Sequence, residues 1–345
     1  MPKLVNKVLL GELPIDKYLT HEFEGLDKVN DMVKTMHEGS CLRAVVNINE
    51  WQPVGIADKI TVVKTEKSRG GVLKTVEHWS NCNNCTMTFT IYLPEGEVDR
   101  QRREPYPAIY FLSGLTSSYE NATVKLQYAR QCAKRQVAMV ICDTSPRGIE
   151  ETCPDAGKDW NVGYGAGQYC NATQEPWSKH FNMYTYVTEE LPNLVEKYFH
   201  VDSEKRSVMG FSMGGNGALI AAAKLPERYQ CFTSFSPIGH PTQCVKFSID
   251  ALTKYFGSVE AAADYSIIEV LNAKGASLKL PPGSVEVAAN DQFIDEMNWP
   301  ELTAALNTNG HRVPMNWHED YNHSYFFVND MIDDTIDFHA GHLYK

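Results

Sequence analysis

The sequence predicts a large α/β domain built on a mostly parallel sheet with helices on both faces. Apolar stretches of strand length, such as 106–114 and 137–144, alternate along the chain with segments of helical spacing. One strand runs through a Gly-x-Ser-x-Gly turn into a helix of small residues, at 206–226. Strands that are apolar throughout their length are typical of parallel sheets buried on both faces.

The predicted elements follow one another in a simple order. Three strands at the start read as an antiparallel meander, and the later strands are separated by helices. The meander is predicted at 61–68, 71–80 and 86–94, the later strands at 106–114, 137–144, 206–211, 231–238, 283–290 and 314–319, and the helices at 124–136, 183–199, 215–226 and after 322–327.

The first 50 residues do not fit this alternation. They read as a short helix, a loop, a second helix at 25–39 and a strand at 42–48. Because these elements are too few to bury a core of their own, we predict a non-catalytic N-terminal extension at 1–50 and a catalytic domain at 51–345.

Composition limits the function classes. The chain has 345 residues and a formal net charge of −11, which argues against nucleic-acid binding. No apolar run approaches the roughly 20 residues of a membrane span, and the N-terminal run is too short and interrupted for a signal peptide. Nine cysteines, scattered singly, indicate reduced thiols and a cytoplasmic protein.

Two other groups of residues are expected to be structural. Cys82 and Cys85 form "CNNC" without a second ligand pair, so a hairpin turn is favoured over a zinc site, and no metal or cofactor is predicted. His339 and His342 lie near the end of the last predicted helix, where a positive side chain would favour the helix dipole.

Gly210-Phe211-Ser212-Met213-Gly214 fits Gly-x-Ser-x-Gly. A buried strand precedes it and a helix of small residues follows, which is the setting that a nucleophile elbow requires. The glycines leave room where side chains would clash with the strand and helix. The pattern predicts Ser212 as a nucleophile, with an ordinary glycine-rich turn as the alternative.

A nucleophilic serine needs a base and an orienting carboxylate, which should follow it in the order acid, then base. Asp291 directly follows the strand at 283–290, at the sheet edge where catalytic groups gather. His323 precedes the terminal helix, where a loop can return it to the elbow. His240 is the main rival base, and His318, inside a strand, is expected to be structural.

The oxyanion of an acyl-transfer intermediate needs two backbone amides. Met213, immediately after the serine, supplies one, and the loop "FLSGLTSS" supplies the other, with the Leu115 amide as the best candidate. A plain turn at Ser113-Gly114 is the alternative.

Several motifs resemble the S-formylglutathione hydrolase (esterase D) family from about residue 60 to the C-terminus: "FLSGLTSSYEN", "DTSPRG", "GYGAGQY", "GFSMGGNGALI", "NDQF" and "NHSYFF". The resemblance implies an α/β-hydrolase with Ser212, Asp291 and His323 as the triad and with Leu115 and Met213 as oxyanion amides. It implies hydrolysis of S-formylglutathione to glutathione and formate through a formyl-serine, without a cofactor. A broader carboxylesterase is the alternative.

Some positions depart from the pattern of that family. Phe211 and Asn216 stand where the family usually has histidines, Ser117 stands where it often has a cysteine, and an acidic residue is missing near Asn171. These changes bear on acyl and thiol selectivity and leave the triad unchanged. Arg147 and Lys179, on loops at strand ends, are candidate partners for the carboxylates of glutathione.

The first 48 residues resemble the C-terminal end of a glutathione-dependent formaldehyde dehydrogenase of the class III alcohol dehydrogenase family. The nucleotide-binding loop and zinc ligands of that family are absent from them. This resemblance implies a fusion to, or association with, the dehydrogenase that makes the thioester. The hydrolase resemblance also suggests a homodimer.

Overall fold

The computed structural model describes part of the chain, and the chain divides into two compact units, Met1–Ile56 and Ala57–Lys345. The described residues are 21–24, 44–47, 59–94 and 104–345.

In the first unit, strands β1 (His21–Glu24) and β2 (Ala44–Asn47) pair in parallel. Strand β2 lies within the segment 42–48, for which the sequence predicts a strand. The two helices predicted for this region lie outside the described residues.

The second unit contains a nine-stranded sheet. Its strands are β3 (Ile60–Ser68), β4 (Gly71–Ser80), β5 (Cys85–Leu93), β6 (Tyr106–Leu112), β7 (Ala138–Cys142), β8 (Val201–Phe211), β9 (Phe232–Phe235), β10 (Gly283–Ala288) and β11 (Met315–His318). Their spatial order is β11-β10-β9-β8-β6-β7-β5-β4-β3.

The six strands from β11 to β7 in this order pair in parallel, and the pairs β7–β5, β5–β4 and β4–β3 are antiparallel. The predicted opening meander and the predicted mostly parallel sheet are therefore both confirmed. The carboxyl ends of the parallel strands meet at one edge of the sheet, where α/β folds place their ligands.

Both faces of the sheet are covered. In β6, Ala108, Tyr110 and Leu112 belong to one buried cluster, whereas Ile109 and Phe111 belong to the other. Alternate side chains of one strand thus enter different cores, which is why the strand is apolar at every position. The prediction of helices on both faces is confirmed.

Ten α-helices lie in the described residues, together with several 3-10 helices. They are α1 (Tyr119–Lys125), α2 (Tyr128–Arg135), α3 (Met183–Thr185), α4 (Leu191–Tyr198), α5 (Met213–Lys224), α6 (Ile249–Phe256), α7 (Ile267–Lys274), α8 (Ile294–Met297), α9 (Trp299–Thr308) and α10 (Tyr325–Leu343). None of these helices has the length and apolar character that crossing a membrane requires.

The single helix predicted at 124–136 is wrong, because two helices meet there. Ser118 caps α1 six residues before position 124, where the predicted helix begins. Leu126 ends α1 in an extended conformation with its side chain buried. The Gln127 amide then donates to Asn329 Oδ1 at 2.8 Å. A contact with α10, distant in sequence, therefore sets this break.

The segment predicted as one helix at 183–199 contains a π-helical turn, Tyr186–Glu190, between α3 and α4. The Glu190 carboxylate accepts hydrogen bonds from the Ser80 hydroxyl (2.7 Å) and the Asn81 amide (2.6 Å), and it contacts the Cys82 thiol. It thereby holds the β4–β5 hairpin that the sequence predicts at "CNNC". Burial raises the pKa of the Cys82 thiol, so the thiol stays protonated.

His339 is fully buried in α10, against the expectation of a positive charge at the helix end. Its Nδ1 lies 2.7 Å from Ser207 Oγ of β8, and its Nε2 lies 3.0 Å from Thr233 Oγ1 of β9. Burial lowers the pKa of His339 to about 3. The neutral ring therefore joins α10 to two central strands.

Replacing His339 with glutamine should flatten the pH dependence of stability. An unfolded histidine titrates near pH 6.5, and the folded-state pKa is lowered to about 3. Between these values the unfolded state binds more protons, so the wild type should lose about 1.4 kcal/mol of unfolding free energy per unit fall in pH. Urea unfolding of the wild type and of His339→Gln at about pH 7.5 and about pH 5 measures this change. An equal fall in unfolding free energy in the two proteins would contradict the prediction.

Candidate active site

Ser212 occupies the turn between β8 and α5 in a conformation that is rare for a residue with a side chain, with φ 61° and ψ −117°. Such backbone strain costs about 1–3 kcal/mol and persists only where neighbours fix it. The Ser212 amide donates to the Phe235 carbonyl at 2.9 Å, and the Ser212 carbonyl accepts from the Gly215 and Ile238 amides at 2.9 and 3.2 Å. These bonds tie the turn to β9 and to the first turn of α5.

The glycines around Ser212 are required by close packing. A Cβ at Gly210 would lie 2.1 Å from the Gly214 carbonyl oxygen, and one at Gly214 would lie 2.0 Å from the Leu112 carbonyl oxygen. An ordinary turn would use glycine at the residue with positive φ, whereas here the serine takes that position and the glycines make room for it. The arrangement favours the nucleophile elbow over the plain turn.

Asp291 and His323 lie side by side at the carboxyl edge of the sheet. His323 Nδ1 is 2.5 Å from Asp291 Oδ2, and the Asp291 side chain is fully buried. Asp291 Oδ1 accepts from the Phe293 amide at 2.8 Å, and the His323 amide donates to Gln292 Oε1 at 3.0 Å. With Nδ1 facing the carboxylate, Nε2 is the nitrogen left for proton transfer.

Two aromatic rings fix the plane of the His323 imidazole. The ring of Phe211, the residue before Ser212, lies 4.6 Å from it, and the Phe293 ring lies edge-on at 5.4 Å. The elbow and the Asp291–His323 pair are therefore brought together through Phe211.

The two other histidines considered from the sequence make different contacts. His240 Nδ1 is 3.1 Å from Glu301 Oε2, and its Nε2 is 3.2 Å from Glu269 Oε1. Each ring nitrogen of His240 therefore already contacts a carboxylate. His318 Nε2 is 2.7 Å from Glu286 Oε2 of the neighbouring strand. His323, which keeps Nε2 for a reacting group, is the better candidate base.

The loop after β6 lies against the elbow. A Cβ at Gly114 would lie 3.1 Å from Ser212 Cβ, so the backbone on either side of Leu115 is held next to the serine. The Thr116 amide donates to the Gly165 carbonyl at 2.8 Å, and the Tyr169 hydroxyl donates to the Ser113 carbonyl at 2.9 Å. Within the described part of the chain, the Leu115 and Met213 amides donate to no backbone carbonyl.

Arg147 supports this loop. Its guanidinium donates to the Ser117 carbonyl at 3.1 Å and to both Asp143 carboxylate oxygens at 3.0–3.1 Å. Burial raises the pKa of Asp143, and the hydrogen bond and charge of Arg147 oppose that rise. Thr144 also donates its hydroxyl to the Ser117 carbonyl.

Arg147 and Lys179 line one cavity of about 690 Å³, together with Trp79 and His180. The cavity lies beside the Ser117 end of the loop, because Arg147 reaches both. The structure therefore brings these two predicted cations together in one cavity.

The positions that depart from the hydrolase pattern have structural contacts. The Asn216 side chain donates from Nδ2 to the Tyr265 carbonyl at 2.8 Å, and Ser117 Oγ lies 3.4 Å from the Tyr325 hydroxyl. Asn171 exchanges two hydrogen bonds with Thr185, at 2.8 and 3.0 Å. Phe211 packs on His323, where a histidine would add a second ionisable ring.

Sequence reasoning missed three residues that hold the site. Tyr169 positions the loop, and Gln292 and Phe293 hold the backbone and the ring of His323. Their positions within "GYGAGQY" and "NDQF" were the available signal, because these motifs carry the hydrolase resemblance. Because their contact partners lie far away in sequence, the sequence pattern alone does not assign a role to these three residues.

A mixed nine-stranded sheet with a strained serine elbow and an aspartate–histidine pair at its carboxyl edge defines the class of α/β-hydrolase esterases. The family described as "Putative esterase" matches residues 80–338. An S-formylglutathione hydrolase of Paracoccus denitrificans (strain Pd 1222) is 37% identical over 286 residues, which are 81% of this chain and 97% of that protein.

Solved structures with the same fold are also found among hydrolases. The S-formylglutathione hydrolase of Agrobacterium tumefaciens superimposes with a TM-score of 0.74 at 33% identity, covering 82% of this chain and 99% of that one. A fluorophosphonate-binding serine hydrolase of Staphylococcus aureus, FphF, shares the fold with a TM-score of 0.62 at 16% identity, covering 78% and 98%. The chain therefore belongs to the esterase family and, within it, to the S-formylglutathione hydrolases.

Gly114→Ala should lower kcat/KM for S-formylglutathione at least about 10-fold. The new methyl group would push the loop away from Ser212, and loss of one oxyanion donor lowers the rate about 10²–10³-fold. Gly341→Ala is the matched control. A Cβ at Gly341 meets nothing within 4 Å, so kcat/KM should be unchanged. Steady-state assays with thermal unfolding as a folding check measure both, and unchanged kcat/KM in Gly114→Ala would contradict the loop's placement.

Proposed function

We propose that this protein hydrolyses S-formylglutathione to glutathione and formate, with Ser212 as nucleophile, His323 as general base and Asp291 as the residue that orients His323. The observation that carries the proposal is the Asp291–His323 pair, 2.5 Å apart, packed through Phe211 against a strained serine turn. The kinship with named S-formylglutathione hydrolases supports the choice of substrate.

In the acylation step, Ser212 Oγ attacks the formyl carbon while its proton passes to His323 Nε2. The carbonyl oxygen becomes an oxyanion, which the Leu115 and Met213 amides stabilise, helped by the N-terminal dipole of α5. The C–S bond then breaks, His323 gives its proton to the departing sulfur, and a formyl ester remains on Ser212. Because a thiolate leaves readily, His323 has less to do as an acid here than it would for an amide.

Deacylation repeats the chemistry with water. His323 removes a proton from the water as it attacks the formyl ester, and the same two amides receive the second oxyanion. Collapse of this intermediate returns the proton to Ser212 Oγ and releases formate. The buried Asp291 carboxylate stabilises the imidazolium in both steps.

We also propose that the cavity lined by Arg147 and Lys179 receives one carboxylate of the glutathionyl group. With a net charge of −11, the protein needs local cations to attract an anionic substrate. Arg147 is bound to Asp143 and to the catalytic loop, so its replacement should disturb kcat as well as KM. Replacement of Lys179 therefore tests more directly whether the cavity binds the substrate carboxylate.

A broader carboxylesterase is the second candidate, because Phe211, Asn216 and Ser117 alter the surroundings of the triad. The ratio of kcat/KM for S-formylglutathione to that for a short aryl acetate distinguishes the two.

Other expectations from the sequence remain predictions. We propose a cytoplasmic protein, because the eight cysteines in the described residues are all free thiols. The N-terminal extension at 1–50, its kinship with the formaldehyde dehydrogenase as a fusion or association, and a homodimer belong to the same proposal.

Ser212→Ala should lower kcat on S-formylglutathione by at least about 10³-fold, since its hydroxyl forms the covalent intermediate. It should also abolish labelling by a serine-directed fluorophosphonate, which the wild type should show. Release of glutathione from the thioester and gel fluorescence measure the two effects. Labelling that persists in the variant would exclude Ser212 as the nucleophile.

Lys179→Glu should raise KM for S-formylglutathione about 3- to 10-fold with little change in kcat, because an exposed charge pair contributes roughly 0.2–1 kcal/mol and reversal adds repulsion. KM for 4-nitrophenyl acetate, which carries no carboxylate, should stay the same. An unchanged KM for the thioester would remove Lys179 from the substrate site.

A further inference from the structure

A row of aromatic side chains leads from His323 to the protein surface. The Phe293 ring lies 5.4 Å from the His323 ring, and the Phe247 ring lies 5.0 Å from Phe293. The Trp160 ring lies 6.1 Å from Phe247 and is 53% exposed. We call Phe293, Phe247 and Trp160 the aromatic shelf.

Lys246 stands over this shelf. Its ammonium lies 4.6 Å from the Phe293 ring centre and 5.3 Å from the Phe247 ring centre. Since the Phe293 ring lies 5.4 Å from the His323 ring, the ammonium is no more than about 10 Å from the imidazole. Among the described residues Lys246 makes no ion pair, which leaves its charge available to a ligand.

The chemistry of the reaction places the leaving group on this side of the site. His323 is the acid that protonates the departing sulfur, so the thiol half of the substrate must lie next to the imidazole. The carbonyl oxygen points the other way, towards the Leu115 and Met213 amides. The aromatic shelf adjoins the imidazole, so it is the surface next to the thiol.

We propose that the aromatic shelf and Lys246 form the subsite for the thiol leaving group, and that the Lys246 ammonium pairs with a carboxylate of glutathione. The tripeptide carries a carboxylate at each end, with the sulfur between them on a short side arm. A cation within about 10 Å of His323 suits one of these ends when the sulfur lies at the imidazole. The inference rests on the proposed function and deepens it.

The packing of Lys246 supports this role. Two ring faces hold the ammonium near the imidazole by cation–π attraction, so less side-chain freedom is lost when a carboxylate binds. Arg147, in contrast, already pairs with the buried Asp143. Lys246 makes no ion pair with another residue that the structure describes. In a chain of net charge −11, such a cation near His323 is a local attraction for an anionic thiol.

The chain provides a matched control in Lys125. Its ammonium lies 5.1 Å from the Tyr325 ring, and that ring lies 5.3 Å from the Phe211 ring. Lys125 and Lys246 are both exposed lysines stacked on an aromatic ring next to the site. Lys125→Glu and Lys246→Glu change the net charge of the protein by the same amount. A difference in their effects therefore reports the position of the lysine.

The test measures binding of S-methylglutathione, an unreactive thioether, to Ser212→Ala by titration calorimetry. Adding Lys246→Glu should raise its Kd about 5-fold or more, and adding Lys125→Glu should change it less than about 2-fold. In the enzyme with Ser212 intact, Lys246→Glu should raise KM for S-formylglutathione by a similar factor, and Lys125→Glu should change it less than about 2-fold.

Equal Kd values with and without Lys246→Glu would overturn the inference, as would equal weakening by Lys125→Glu or a complete lack of binding. Failure of the proposed function gives a different result: S-methylglutathione would bind in a manner dependent on Lys246, but S-formylglutathione would not be turned over.

Discussion

The rest of the site depends on the strained backbone of Ser212. Its φ of 61° lifts the side chain out of the sheet edge, and hydrogen bonds to β9 and to the first turn of α5 hold it there. Gly210 and Gly214 are required because carbonyl oxygens approach within about 2 Å of where a Cβ would lie. The same close approach brings the Gly114 loop, with its amides, beside the serine hydroxyl.

A short segment of sequence holds His323 in place. Asp291, Gln292 and Phe293 are consecutive, and each holds a different part of His323: Nδ1, the backbone amide and the ring face. Phe211 also packs against the ring, at 4.6 Å. A histidine oriented in this way presents Nε2 in one direction only. In the proposed mechanism, that direction decides where the leaving group departs.

Sequence predicted the parts that follow local rules. Apolar runs buried on both faces predict the strands of the sheet. Strand ends and chain order predict Ser212, Asp291 and His323 as the triad, which stays a prediction. The break at Leu126, the π-helical turn before α4 and the support of the loop by Tyr169 were missed, because residues far away in sequence determine each. The neutral burial of His339 was missed for the same reason.

The central claim is that Ser212 becomes acylated. Rapid mixing of the enzyme with 4-nitrophenyl acetate, quenching in acid and mass analysis of the digested protein tests it most directly. The account predicts a burst of 4-nitrophenol and the mass of one acetyl group on the peptide that contains Ser212, both absent in Ser212→Ala. An acetyl group on a different residue, or turnover by Ser212→Ala at the wild-type rate, would contradict it.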